Sequence, residues 1–366
     1  MSNRLVSLHL EQGQSPWLDN LRRGYITSGE LQKLIANGIR GLTSNPTIFQ
    51  KAITSSADYD DQFGNEISLG VTPEDAYWSL VIADIQGALD IFAPLYEKSG
   101  GTDGFVSVEV DPWLAHDASN TLAAARSLHE RVNRDNVMIK IPATREGLPA
   151  IRQMIAEGRN VNVTLIFSLD RYQEVMNAYI EGLEQRAADG HDISRIASVA
   201  SFFISRVDTE IDRRLEAIGT DDARQLCGTA AINQAKLAYK AFQETFSGSR
   251  WDALAARGAQ LQRPLWASTS TKNPAYPDTL YVDQLIGPHT VNTLPDTTVD
   301  AFADHGTVAR TIDTDLDTAV TQWNALAKLG IDTNEVAEQL EREGVSSFQK
   351  SFDELLTALR DKAATF

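Results

Sequence analysis

The chain has 366 residues, 33 Lys and Arg against 50 Asp and Glu for a formal charge of −17, and 42% apolar positions. Such a composition is globular rather than disordered or fibrous, and its net charge repels nucleic acid and anionic lipid, so any anionic ligand must be captured by local cations. The stretch from Met1 to Trp17 has no apolar signal core, and no run approaches the roughly 18–20 continuous apolar residues of a bilayer span. The single cysteine, Cys227, cannot close an intrachain disulfide. These features lead us to expect a cytoplasmic chain with no membrane and no nucleic-acid partner.

In chain order, the first helical signal is Thr27-Ser28-Gly29-Glu30 ahead of Leu31, Leu34 and Ile35, a pattern that stops at Gly38. A short apolar run at 39–43 follows. Thr72-Pro73-Glu74-Asp75 opens the longest predicted helix, to about Ser99, with Tyr77, Leu80, Val81, Ile85, Leu89 and Phe92 as its apolar stripe. Strand-like runs at 104–111, 136–142, 160–167, 196–203 and 264–268 then alternate with amphipathic stretches at 118–131, 148–157 and 169–187, a rhythm that predicts a parallel sheet. A poor first strand at 17–19, the run at 39–43 and a last strand at 290–294 bring the count to about eight. Eight units in this length predict an α/β fold, a (β/α)8 TIM barrel with additional C-terminal helices, rather than an open sheet. No linker, repeat or low-complexity tract interrupts the pattern, so one domain over 1–366 is expected. Its extra helices, from about 297 onward, have candidates at 314–329, 333–343 and 346–363.

Barrel interiors are mostly apolar, so strands that carry polar groups inward mark the chemistry. Alternation in 105–111 sends Val106, Val108 and Val110 to the helices and Ser107, Glu109 and Asp111 to the other face. The same logic aims Lys140 inward from 136–142, and Asn162 and Thr164 inward from 160–165. A desolvated ammonium has a lowered pKa, and a neutral amine is what condenses with a ketone to a Schiff base. Glu109 beside it can move the protons of carbinolamine formation and breakdown. Asp19 ends the candidate first strand, which makes it a candidate general base. Gly41-Leu42-Thr43-Ser44-Asn45-Pro46 runs from a strand end into a Pro-initiated helix, a capping pattern by residue type.

Two later segments, Ser201-Phe202-Phe203-Ile204-Ser205-Arg206 and Ser268-Thr269-Ser270-Thr271-Lys272, follow the sixth and seventh strands. Hydroxyls plus a cation after late barrel strands suit a phosphate, and in a chain of charge −17 they are the best sites for local anion capture. No GxGxxG or GxxxxGK[ST] opens a βα unit, and the six histidines form no HxxxH or HxxE pair. The sequence therefore points to chemistry with no metal and no cofactor.

Seven motifs in order, from Trp-Leu-Asp at 17–19 through Gly-Leu-Thr-Ser-Asn-Pro, Ser-Val-Glu-Val-Asp-Pro, Val-Met-Ile-Lys-Ile-Pro-Ala-Thr, Asn-Val-Thr-Leu-Ile-Phe-Ser and Ser-Val-Ala-Ser-Phe-Phe-Ile-Ser-Arg to Leu-Trp-Ala-Ser-Thr-Ser-Thr-Lys, resemble the transaldolase family, in its longer bacterial branch. The resemblance implies a transferase of pentose phosphate metabolism. It moves a dihydroxyacetone unit from sedoheptulose 7-phosphate or fructose 6-phosphate to glyceraldehyde 3-phosphate or erythrose 4-phosphate. It implies Lys140 as the Schiff-base lysine, Asp19 as the base that promotes carbon–carbon cleavage, and Glu109 acting through a water held by Thr164. Asn45 and Asn162 are then expected to hold the dihydroxyacetone unit, Thr43 and Ser201 to line the pocket, and Arg206, Ser268 and Ser270 to take the phosphate. Shorter relatives have an arginine where Ser270 stands, so the second phosphate cation is open between this position and Lys272. Phe203, where tyrosine goes with simple aldol cleavage, favours transfer. The rival readings are a class I fructose-6-phosphate-type aldolase and a non-catalytic sugar-phosphate-binding barrel; the assembly is a monomer or a homodimer.

Overall fold

A computed structural model of the chain describes residues 3–365. Eight parallel strands close into a barrel in sequence order: β1 (Gln14–Leu18), β2 (Leu42–Thr43), β3 (Val106–Glu109), β4 (Val137–Pro142), β5 (Val161–Ile166), β6 (Ser198–Phe203), β7 (Gln262–Ala267) and β8 (Thr290–Leu294), with β8 paired to β1. Helices separate the strands, as the alternation predicts, and the additional helices follow β8. Val106, Val108, Val137, Ile139, Val161 and Val163 are all buried. The register pairs Glu109 with Lys140 and Lys140 with Asn162, so three neighbouring strands present their polar residues at one level of the interior.

The two weakest predicted strands change shape. β1 begins at Gln14, whose buried side-chain amide nitrogen donates to the Leu285 carbonyl at 2.7 Å and to Thr290 Oγ1 at 2.9 Å. β2 shrinks to two residues. A Cβ on Gly41 would stand 2.4 Å from the Trp17 ring, so the chain there is shaped by contact with the indole, and Arg40 turns to Asp103. β3 ends at Glu109, and Asp111, expected on the inward face, instead accepts the Trp113 N–H at 2.8 Å and caps the turn Pro112–Leu114. The penalty of leaving a turn donor unpaired outweighs the strand alternation.

The longest helix of the first half, Pro73–Lys98, buries its whole predicted stripe. Among the described residues it alone is long and apolar enough to cross a bilayer, by length and composition. At the C-terminus, the two helices expected at 333–343 and 346–363 are one helix, Thr333–Ala363, of 31 residues and about 46 Å. Gly344 reads as a break, but it marks a close approach: a Cβ there would come within 2.9 Å of Leu165 Cδ2. The helix reaches back to the barrel and its loops through Arg214 to Glu335 and Gln339, Ser351 to Thr47, Trp113 to Asp353, and Lys362 to Asp60.

Candidate active site

A cavity of about 140 Å³ opens at the C-terminal ends of the strands. At its floor Lys140, 4% exposed, holds its Nζ 3.2 Å from Glu109 Oε2 and donates to the Ser44 carbonyl at 3.3 Å. Both groups are buried because β3 and β4 place them at the same level of the barrel. Burial pushes the Glu109 carboxyl above its ordinary range, with Lys140 opposing. Thr164 Oγ1 lies buried on β5 without a hydrogen-bond partner among the described residues.

Asp19 stands one residue beyond β1, its backbone N–H bound to the Leu294 carbonyl at 2.8 Å. Thr43 Oγ1 donates to Asp19 Oδ1 at 2.8 Å and meets Thr293 Oγ1 at 2.6 Å. Burial raises the Asp19 pKa; Lys140 and the Thr43 hydrogen bond pull it down, and Asp296 pushes it up again. Asn45 caps the helix Pro46–Ser55, accepting the Ile48 N–H at 3.0 Å through Oδ1, which leaves its amide nitrogen as the polar group for the cavity it lines.

Polar groups also gather at the β6 and β7 ends. Arg206, in the first turn of Ser205–Ile218, lies 5.3 Å over the Phe203 ring and has no ion-pair partner among the described residues. Burial lowers its pKa. Ser205 and Ser268 share a hydroxyl contact of 2.8 Å, and Lys272 Nζ donates to Ser270 Oγ at 2.7 Å. Desolvation lowers the Lys272 pKa, helped by the like charges of Arg206 and Lys51. Ser268 adopts φ +57°, a left-handed conformation that costs an L-residue about 1–2 kcal/mol.

Of the residues singled out from sequence, Asp19, Thr43, Asn45, Lys140, Thr164, Ser201, Phe203, Arg206, Ser268, Ser270 and Lys272 line one cavity. Glu109 stands behind Lys140. Asn162, fully buried, lies beneath, donating to Ser107 Oγ at 2.9 Å and accepting from Ser201 Oγ at 2.7 Å, so its contacts hold other wall residues. Sequence reasoning missed Thr293, Ala267, Pro295 and Phe348. Thr293 had a signal, a hydroxyl at the C-terminal end of a predicted strand. Phe348 had none, because it reaches the cavity from the last helix, its ring 5.7 Å from Lys140 Nζ.

A buried amine flanked by carboxylates, with hydroxyls and cations across the same mouth of a parallel barrel, defines a barrel enzyme equipped for imine chemistry on an anionic carbonyl substrate. The model of the transaldolase/fructose-6-phosphate aldolase family matches residues 16–359. The chain is 52% identical over 360 residues to "Transaldolase 1" of Streptomyces avermitilis, covering 97% of this chain and 95% of that one. It is 52% identical over 348 residues to "Transaldolase" of Arthrobacter sp., covering 94% of each. To "Transaldolase" of Saccharopolyspora erythraea it is 52% identical over 355 residues, covering 96% of each. The chain belongs to the transaldolase/fructose-6-phosphate aldolase family.

Proposed function

We propose that Lys140 is the nucleophile of a transaldolase reaction and that the surrounding groups divide the proton transfers among them. The activity is that of a transferase acting on phosphorylated sugars, in pentose phosphate metabolism. Lys140 Nζ adds to the C2 carbonyl of the ketose phosphate, the carbinolamine loses its oxygen as water, and an imine forms. Glu109, working through a water held on Thr164 Oγ1, delivers and removes the protons of these steps. Asp19 takes the proton of the C4 hydroxyl. The C3–C4 bond then breaks, its electron pair moves into the iminium to give the enamine, and an aldose phosphate departs.

The acceptor aldose reverses the sequence: the enamine C3 attacks its aldehyde carbon, Asp19 returns the proton to the new alkoxide, and water releases the product ketose from Lys140. Sedoheptulose 7-phosphate or fructose 6-phosphate is the donor, and glyceraldehyde 3-phosphate or erythrose 4-phosphate the acceptor. Asn45, Thr43, Asn162 and Ser201 serve the three-carbon unit; Arg206, Ser268, Ser270 and Lys272 serve the phosphate, and the Lys272–Ser270 hydrogen bond supports reading these two as one donor group. Phe203 offers the enamine no hydroxyl that could activate water, which favours transfer over release.

The observation that carries this reading is the Lys140–Glu109 pair, 3.2 Å apart at the floor of the cavity. Incubation with fructose 6-phosphate followed by borohydride reduction is expected to leave a dihydroxyacetone adduct on Lys140, read by peptide mass spectrometry. Lys140→Met is expected to abolish turnover in a folded protein. An adduct on another residue, or near-native turnover of the variant, overturns the assignment. Product formation that needs erythrose 4-phosphate separates transfer from simple aldol cleavage.

A further inference from the structure

The connection from 268 to 279 joins β7 to the short helix Leu280–Asp283 and contains no helix or strand of its own. Segments of that length without regular structure are usually functional, and they need anchors to hold a geometry. This one carries Ser268, Ser270 and Lys272. Its anchor lies on the helix Ser205–Ile218, whose first turn carries Arg206. Asp208 and Asp212, four residues apart, share one face of that helix. Tyr276 donates its hydroxyl to Asp212 Oδ2 at 2.6 Å, and Tyr281 donates to Asp208 Oδ2 at 2.7 Å.

Each carboxylate is fixed from its other side by a backbone N–H: Gly228 on Asp212 Oδ1 at 2.9 Å, and Ala231 on Asp208 Oδ1 at 2.7 Å. Gly228 has φ +73°, and a Cβ there would lie 2.8 Å from Tyr276 Cζ, so the tyrosine ring is seated against bare backbone. Between this anchor and the loop's cations lies a second cavity, of about 190 Å³, walled by Lys272, Tyr276, Asp212 and Thr209. The loop is therefore not packed down along its length. The start of the loop is tied directly, by the Ser205 N–H on the Ser268 carbonyl at 3.0 Å, the Ser205–Ser268 hydroxyl contact at 2.8 Å and Thr269 Oγ1 on the Thr293 carbonyl at 3.1 Å. Beyond Lys272 the Tyr276–Asp212 hydrogen bond ties the far side of the loop to the same helix.

We propose that Tyr276 and Asp212 are positioning residues that lock the Lys272 side of the loop onto the Arg206 helix, as Ser205 locks its Ser268 end, so that both halves of the phosphate grip are presented at a fixed separation. The proposal rests on the reading of Arg206, Ser268, Ser270 and Lys272 as the phosphate end. Tyr276→Phe keeps the ring on Gly228 and removes only the hydrogen bond.

In the full chain, with erythrose 4-phosphate held constant, this variant is expected to raise the KM for fructose 6-phosphate about five- to tenfold. The Ki of inorganic phosphate as a competitive inhibitor should rise by the same factor, while kcat changes less than about twofold. A purely structural role would lower the melting temperature and leave KM and Ki in place; that result, or a fall in kcat with both constants unchanged, overturns the proposal. Asp212→Asn, which removes the charge and keeps one acceptor oxygen, is expected to reproduce the KM and Ki rise. Arg206→Gln in the same assay separates the two readings. If it leaves phosphate inhibition unaltered, the phosphate end is misassigned and the proposal falls with it; if it abolishes inhibition while Tyr276→Phe leaves Ki unmoved, only the lock is wrong.

Discussion

Thr43 has one proton to give, and the geometry decides where it goes. Its hydroxyl serves the Asp19 carboxylate, so the 2.6 Å contact with Thr293 is donated by Thr293. The two threonines and the carboxylate form a directed chain, while Asp296, held by Asn20 at 2.6 Å and Tyr25 at 2.7 Å, supplies like charge nearby. Burial raises the Asp19 pKa, the Thr43 bond lowers it and Asp296 raises it. A base acts when ionised, so activity is lost as pH falls through this raised value, and the acid limb of kcat/KM lies above the range of an ordinary aspartate. Thr43→Val removes a bond to the ionised form; it moves the limb to higher pH and lowers kcat about tenfold. Asp296→Asn removes the like charge and moves the limb to lower pH. Profiles of kcat/KM against pH check both signs. Thr43 is pointed to only by the family resemblance, whereas Asp19, Lys140 and Glu109 are legible in the sequence because each interrupts or ends an apolar strand. Thr293 belongs to the same class, but the strand 290–294 is weighed only for its place in the count. Asp296 is legible to no such rule, since an acid after a proline reads as a helix start.

Among the elements, the last helix departs furthest from expectation. A glycine followed by Val345, Ser346 and Ser347 signals a stop in a lone helix, yet Thr333–Ala363 runs through it. The reason is on the barrel: Leu165, at φ +59°, sits where the pairing of β5 with β6 shifts register, and Gly344 gives it room. A leucine in that conformation costs about 1–2 kcal/mol, and it directly follows Thr164. The close approach of Gly344 seats the helix so that Phe348, one turn on, covers Lys140. Gly344→Val places a branched side chain against Leu165 and is expected to cost about 1–3 kcal/mol of stability, read from the urea midpoint of unfolding. The βα alternation was legible because period and length do not depend on partners. Helix continuity at Gly344 was not, because it is decided by what the helix lies on.

At the scale of the molecule, the two ends of the barrel divide the work. The C-terminal mouth holds the cavity, and the opposite end holds Asp103, which accepts from Arg40 at 2.6 Å, Arg263 at 3.2 Å, Ser15 at 3.0 Å and Trp17 at 3.4 Å. These partners come from β1, β7 and the approach to β2, so one carboxylate cross-links strands from both sides of the closure. Burial alone would raise its pKa, but Arg263 and Arg40 outweigh burial and hold it below the ordinary value. With the folded pKa depressed, the stabilisation is present above the unfolded pKa, about 3.9, and is lost as pH falls through the folded value. Asp103→Asn leaves two arginines facing a neutral group and is expected to cost about 3–5 kcal/mol at neutral pH. Urea unfolding should show the gap to the unmodified chain narrowing in acid.

The sequence by itself determined the eightfold βα rhythm, the inward polar faces of three successive strands and the two segments that bring hydroxyls with a cation. Each of these is a local pattern, set by the side-chain period of a strand or by neighbouring residues. Only the tertiary structure decided that Phe348 covers Lys140, that Thr293 meets Thr43 and Asp296 lies near Asp19, that Asn162 bonds Ser107 and Ser201 beneath the cavity, and that Tyr276 reaches Asp212. Those contacts join elements distant in the chain. They depend on barrel closure and on where the last helix lands, and spacing along a sequence carries neither.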